Sequence, residues 1–171
     1  MFLTLDAHKN ISGLLRVTKR LSTVRNDFEL HLVSDGDIKP HQKKVDELGL
    51  EGVVYFFETM SVKDIAAKMR QSDFFVLFSN YENLPCVMVE ALASGLPVMS
   101  TTAGGIAEHL NENLGILLEP GDEEALFNNC NTMLNNLNKY DKEKLHAYGS
   151  CKFSYENVGK LLTEIYAKYV L

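Results

Sequence analysis

The sequence predicts an α/β fold with a doubly wound parallel sheet, and two observations carry that expectation. Short apolar runs alternate with longer amphipathic stretches along the whole chain, the pattern of β-strands joined by helical crossovers. The most apolar run, Asp73-Phe74-Phe75-Val76-Leu77-Phe78, is continuously hydrophobic rather than alternating, as a strand covered on both faces must be. Right-handed crossovers then place helices on both faces of the sheet. The expected result is three α/β/α layers with about six parallel strands and a helical tail.

Each element has its own reason. Phe2 to Leu5 reads as a short strand. Ile11, Leu14, Leu15, Thr18 and Leu21 recur at helical spacing. Phe28 to Val33 alternates as a strand and runs into the turn Ser34-Asp35-Gly36-Asp37. Pro40 suits the first turn of a helix and Gly49 its end. Val53 to Phe57 is rich in β-branched and aromatic residues, as a strand should be. Ser61-Val62-Lys63-Asp64 resembles a capping box with Asp as its acid, opening a helix to about Arg70. After the apolar run comes a polar loop, Ser79 to Leu84. Pro85 then opens a helix that ends near Gly95. Leu96 to Ser100 and Gly115 to Leu118 read as strands, with a short helix opened by Gly104-Gly105 between them. Asp122-Glu123-Glu124 places acids in a helix's first turn, where the macrodipole favours them. The asparagine-rich stretch 128–138 reads as a polar face of the tail helix. Helices around Asp141–Ser150 and Ser154–Val170 finish the chain.

A length of 171 residues fits one domain, spanning 1–171. Such a domain buries enough surface to need no disulfide staple. With 46% hydrophobic and 23% charged residues, the composition excludes disordered and collagenous chains. The net charge of −6 gives no footprint for nucleic acid or an anionic membrane, so an anionic ligand must be held by local groups. Cys86, Cys130 and Cys151 show no CxxC spacing and form neither a disulfide framework nor a zinc site. A reducing cytoplasm is the simplest compartment. No apolar run approaches the roughly 18 residues that span a bilayer, and the first residues lack the basic region of a signal peptide. The chain opens directly inside an apolar alternation, as a cut between two units would leave it.

Open α/β sheets bind ligands beyond the carboxyl ends of their strands, and the loop after Phe78 is the richest in chemistry. Glu82 lies in it, and Glu90 follows eight positions later inside the next helix. Eight helical residues span about 12 Å, whereas paired glycosidase acids stand roughly 5–9.5 Å apart. A hydrolytic dyad is therefore disfavoured, and the acids suit the two ends of one elongated ligand. Between them a helix N-terminus presents amides near Cys86, Val87 and Met88, a setting for phosphate. An acid, an anion hole and a second acid suit a sugar, a diphosphate and a ribose. Plainer readings stand beside this one: Glu82 as a solvated loop acid, Glu90 as half of a structural salt bridge, Lys9 as a solvated lysine. Phe57, Glu58 and Thr59 end a strand on the ligand edge and suit a base, mainly through backbone groups. Gly104-Gly105 also reads as a plain strand-to-helix turn. Cys86 reads as a small packing residue rather than a helix-activated thiol. His31 reads as a packed or edge residue, and His8, His41, His109 and His146 lack metal-ligand spacing.

The block from Phe78-Ser79-Asn80-Tyr81-Glu82 through Pro85 and Glu90-Ala91-Leu92-Ala93-Ser94-Gly95-Leu96-Pro97-Val98 resembles the signature of glycosyltransferase family 4. These are retaining nucleotide-sugar transferases of GT-B architecture, with the pattern S-x-x-E-x7-E-A-x-A-x-G-x-P-V followed by G-G-I/V-x-E. Thr102-Ala103-Gly104-Gly105-Ile106-Ala107-Glu108 resembles the second part. Leu117 to Asp122 resembles the family's L-V-x-P-G-D turn, Leu5 to Asn10 its R-L-x-x-x-K-[GN] segment, Ser34-Asp35-Gly36 its G-x-G turn, and Phe153-Ser154-Tyr155 its F-S-W/Y segment. The family's Arg falls on Thr4, and Ser34 replaces the first glycine of the turn. The resemblance covers essentially the whole chain, as the C-terminal, Rossmann-like half of such an enzyme.

The resemblance implies roles for single residues. Glu90 would hold the ribose hydroxyls, and Glu82 would sit by the donor sugar or the reacting centre. The backbone of Asn83, Leu84, Pro85, Cys86 and Val87 would meet the sugar and the diphosphate, with Gly104 and Gly105 lining the same cleft. Lys9 would neutralise the diphosphate as charge grows on the leaving nucleotide. No cofactor or metal is implied. The reaction would be hexosyl transfer from a nucleotide diphosphate sugar to a hydroxyl acceptor. An N-terminal half outside this sequence would bind the acceptor and make any contact with the inner face of the membrane. The isolated chain would bind donor without transferring it. Two rivals are a nucleotide-binding or interaction module without transfer, to which Thr4 lends weight, and a nucleotide-sugar epimerase of similar architecture.

Overall fold

The computed structural model describes residues 7–34 and 36–169. Five strands alternate with helices: β1 Leu30–Val33, β2 Val54–Phe57, β3 Phe75–Leu77, β4 Val98–Thr101 and β5 Gly115–Leu118. The helices are α1 Ile11–Ser22, α2 Lys39–Leu48, α3 Val62–Gln71, α4 Cys86–Ala93, α5 Glu123–Asn135, α6 Lys142–Lys152 and α7 Tyr155–Tyr169, with single 3-10 turns at Ala7–Lys9, Ile106–Glu108 and Leu137–Lys139. Every described strand pairing is parallel. Among the described residues the strands form two hydrogen-bonded sets, β1-β2 and β3-β4-β5, rather than one continuous sheet. The strand expected at Phe2–Leu5 lies outside the described residues, as does Asp35 of the first turn.

Local chemistry sets the helix ends. The Ser61 hydroxyl accepts from the Asp64 amide at 3.2 Å and donates to the Asp64 carboxylate at 2.6 Å, closing the start of α3. Asp122 accepts from the Ala125 amide, and Asp141 from the amides of Glu143 and Lys144. These bonds hold the Asp141 carboxyl below its ordinary range. Gly49 ends α2 at φ 60°, a left-handed conformation that costs glycine little. The asparagine-rich stretch runs along α5 as far as Asn135 and on into the 3-10 turn after it. On the helix, Asn131 and Asn135 accept from Arg25 at 3.0 and 3.1 Å. Arg16 pairs with Glu123, and Arg20 lies 4.6 Å over the Phe127 ring, so α5 is clasped to α1.

The core centres on β3 and β4, whose residues are all buried. Two close approaches fix the layers on it. A Cβ on Gly115 would lie 1.7 Å from the Val98 carbonyl oxygen, so β5 reaches β4 only with glycine there. A Cβ on Gly149 would lie 2.3 Å from the Ala93 nitrogen, so α6 rests directly on the end of α4. The His146 imidazole closes the same contact on the Ala93 carbonyl. Helix α7 is exposed along its length, Val158, Leu161, Leu162, Ile165, Tyr166 and Tyr169 included.

Gly149→Ala is expected to destabilise the fold by about 2 kcal/mol through overpacking, read from the urea unfolding midpoint; an unchanged midpoint would show that α4 and α6 separate freely. Burial pushes the Cys130 thiol up to about 12, whereas Cys86 and Cys151 are exposed. An aromatic disulfide reagent at mildly alkaline pH should therefore modify Cys86 and Cys151 in the native protein, and Cys130 only after denaturation.

Candidate functional site

The carboxyl ends of β3 and β4 meet the 3-10 turn Ala7–Lys9, and three loops converge there. Asn10 directs the first. It adopts φ 49° and ψ 43°, and its side chain accepts from the Gly13 amide at 3.2 Å, so one residue both bends the chain and caps α1. Asparagine tolerates this left-handed conformation better than most residues. The bend leaves Lys9 facing the loop after β3. The Asn80 amide then donates to the His8 carbonyl at 2.7 Å, tying that loop to the turn.

Glu82 is the centre of the loop. Lys9 Nζ lies 2.6 Å from Glu82 Oε1, and the two side chains are only 15% and 8% exposed. The Ser79 hydroxyl donates to the same oxygen at 2.7 Å. A solvated loop acid and a solvated lysine are thus replaced by a largely buried ion pair, joined across 73 positions of sequence. The third loop explains its glycines. Gly104 sits at φ 61°, and a Cβ there would lie 2.0 Å from the Glu82 carbonyl oxygen and 2.6 Å from that of Asn83. The Gly105 amide donates to the Asn83 carbonyl at 2.7 Å. The turn after β4 therefore presses backbone to backbone on the acid's own loop.

Helix α4 starts beside this contact. Pro85 is its N-cap and supplies no side-chain cap. The Met88 amide donates to the Pro85 carbonyl at 3.0 Å, leaving the Cys86 and Val87 amides as the unpartnered pair among the described residues. Glu90 is exposed, and its carboxylate makes no ion pair or hydrogen bond among the described residues. That differs from the salt bridge expected of an acid flanked by apolar residues. The helix buries Met88, Ala91 and Leu92 and turns Glu90 to the other side. Asn83, Leu84 and Cys86 are exposed beside it, Pro85 is buried and Val87 is half-buried.

Phe57 and Glu58 sit at the end of β2, in the other strand set. The Phe57 ring meets Lys68 Nζ at 3.4 Å and the His31 ring at 5.2 Å. Its carbonyl accepts from the Ser34 amide at 3.1 Å, so that backbone group is already engaged; Glu58 is exposed. A cavity of about 510 Å³ opens at the opposite, amino ends of the strands, against Phe28, His31 and Phe74, and none of the candidate site residues lines it. Among the described residues no His, Cys, Asp and Glu side chains cluster as a metal site would require. Sequence reasoning gave no role to Ser79 or Thr101. The available signal was a hydroxyl at the end of an apolar strand, which needs a partner once buried.

The model of a family described as glycosyl transferases, group 1, matches residues 2–136. The chain is 37% identical over 101 residues to the Vi polysaccharide biosynthesis protein VipC/TviE of Salmonella typhi, covering 58% of this chain and 17% of that protein. It is 31% identical over 121 residues to an MMP alpha-(1->4)-mannosyltransferase of Mycolicibacterium hassiacum, covering 69% and 29%. The structure of Anabaena Alr3699/HepE in complex with UDP superposes with a TM-score of 0.86 at 25% identity, over 98% of this chain and 47% of that one. Sucrose-phosphate synthase of Thermosynechococcus elongatus shares the fold with a TM-score of 0.87 at 22% identity, over 99% and 44%. The chain spans less than half the length of each of these four proteins.

Lys9→Met should destabilise the protein by about 3 kcal/mol, because it strands a buried carboxylate, and adding Glu82→Gln should restore part of the loss. A double-mutant cycle from urea unfolding checks the coupling. Gly104→Ala combines a forbidden contact with an unfavourable φ and should cost about 3 kcal/mol or displace the Glu82–Asn83 loop, visible as faster amide hydrogen exchange there.

Proposed function

The chain belongs to the group 1 glycosyltransferase family, and from that membership and the site geometry we propose that it is the nucleotide-sugar-binding half of a retaining glycosyltransferase. The donor is a nucleoside diphosphate sugar and the acceptor a hydroxyl group. One observation carries this reading: a buried Lys9–Glu82 pair stands beside an uncapped helix N-terminus. A cation and free amides suit a diphosphate, and a carboxylate suits sugar hydroxyls.

In the transfer, the bond from the sugar's anomeric carbon to the phosphate oxygen breaks, a bond to the acceptor oxygen forms on the same face, and the acceptor hydroxyl's proton passes to the departing phosphate oxygen. Negative charge grows on the departing diphosphate. Lys9 and the amides of Cys86 and Val87 offset that charge where it develops, so the assignment calls for no metal ion. Glu82 meets the sugar, with the backbone of Asn83, Leu84 and Pro85 beside it. Gly104 and Gly105 hold that backbone in place. Glu90, exposed on α4, accepts from the vicinal hydroxyls of the ribose. Phe57 and Glu58 frame the base. UDP is the first nucleotide to try, because the Anabaena structure that superposes here was solved with UDP.

A second half would supply the acceptor. The share of each relative that this chain covers supports that arrangement, and so does the uncovered apolar face of α7. No helix among the described residues is long and apolar enough to cross a membrane. We place the chain in the cytoplasm, with any membrane contact made through the other half.

Calorimetric titration with UDP-, GDP- and ADP-sugars tests the proposal. Saturable binding of one of them is expected, weakened about tenfold or more by Glu90→Ala through loss of charge-assisted hydrogen bonds. The isolated chain should neither glycosylate an acceptor nor convert the donor to another sugar. Absence of saturable binding, or binding indifferent to Glu90→Ala, would overturn the donor site; sugar conversion without acceptor would favour the epimerase reading.

A further inference from the structure

Glu82 has two carboxylate oxygens, and its partners are divided unequally between them. Lys9 Nζ reaches Oε1 at 2.6 Å and the Ser79 hydroxyl reaches the same Oε1 at 2.7 Å. Among the described residues no donor reaches Oε2. Ser79 is fully buried, and the peptide unit that follows it is held at both its carbonyl and its amide. Its carbonyl accepts from Thr101 Oγ1 at 2.7 Å, and the amide after it donates to the His8 carbonyl at 2.7 Å.

We infer that Ser79 is a positioning residue, which with Lys9 anchors Oε1 of Glu82 and leaves Oε2 as the oxygen that receives a hydroxyl of the donor sugar. This role rests on the donor-site assignment proposed above and adds to it a choice of oxygen. The two partners act differently. An ammonium is a point charge on a flexible stem and imposes little direction on the carboxylate. A hydroxyl carried next to a peptide unit held at both its carbonyl and its amide does impose direction, and so sets the carboxylate plane. Ordering a glutamate side chain costs rotamer freedom. Here that ordering is complete before the ligand arrives, which favours a ligand that uses the remaining oxygen. Gly104 fixes the other end of the same residue, since its backbone lies against the Glu82 carbonyl.

The test compares a nucleotide sugar with its bare nucleoside diphosphate: UDP-glucose with UDP, or GDP-mannose with GDP, whichever pair the unaltered protein binds. Ser79→Ala should weaken the nucleotide sugar about tenfold and change the bare nucleotide by less than about twofold. In a Glu82→Ala background the same substitution should have no further effect, because Ser79 acts through that carboxylate. Ser79→Cys, close in shape but a weak donor, should fall between Ser79→Ala and the unaltered protein; it also covers the case in which the alanine variant folds poorly. Three results would overturn the role: unchanged nucleotide-sugar affinity in Ser79→Ala, equal loss of both ligands, or an undiminished effect in the Glu82→Ala background. If the unaltered protein binds neither pair, the donor site itself fails and the role of Ser79 falls with it. That outcome is distinguishable because it appears before any substitution is made.

Discussion

The ion pair between Lys9 and Glu82 is the interaction on which the rest of the site depends. Two charges withdrawn from water cost several kcal/mol each unless their geometry is good and further hydrogen bonds complete it. The fold meets both conditions. Asn10 bends the chain so that Lys9 faces inward, the Asn80–His8 bond holds the two loops in register, and Ser79 supplies the second donor. The Gly104–Gly105 turn seals the far side with backbone alone. Removing Lys9 leaves the Glu82 charge without its counter-ion, and removing Ser79 takes away the second donor to it.

Rigid elements stand behind each part of this arrangement. Both strands that aim the loops, β3 and β4, are buried throughout. Helix α4 is held at its far end by α6, through Gly149 and the His146–Ala93 contact. Its near end is therefore free to keep two amides unpaired at a fixed place, a condition for anion binding at a helix terminus. Packing far from the site thus bears on the chemistry proposed for it.

Much of this was legible in the sequence where the determinants are local. Ser61, Asp122 and Asp141 cap the helices they precede, and the continuous apolar run at Phe75–Leu77 is the buried strand it suggested. The environments of the two acids were not legible, and they came out reversed. Glu82 sits in a polar loop yet is buried, because its partner lies 73 positions away. Glu90 sits among apolar residues yet is exposed, because a helix of eight residues still has an outer side. Gly104 read as a turn, but the carbonyls that exclude a side chain there come from another loop. The family pattern marked Ser79 without supplying a physical reason, which is its hydroxyl on Glu82. Nor does the amphipathic pattern of α7 say what covers its apolar face.

The central claim is that a nucleotide diphosphate binds at the carboxyl ends of β3 and β4, between the Lys9–Glu82 pair and the start of α4. Amide NMR of the labelled chain titrated with UDP, and then GDP, tests it most directly. The account predicts saturable shifts centred on the amides of Cys86, Val87, Gly104 and Gly105, with smaller changes at Lys9 and Glu82. Shifts centred on Phe28, His31 and Phe74 at the opposite ends of the strands, or no saturable shifts with either nucleotide, would contradict it.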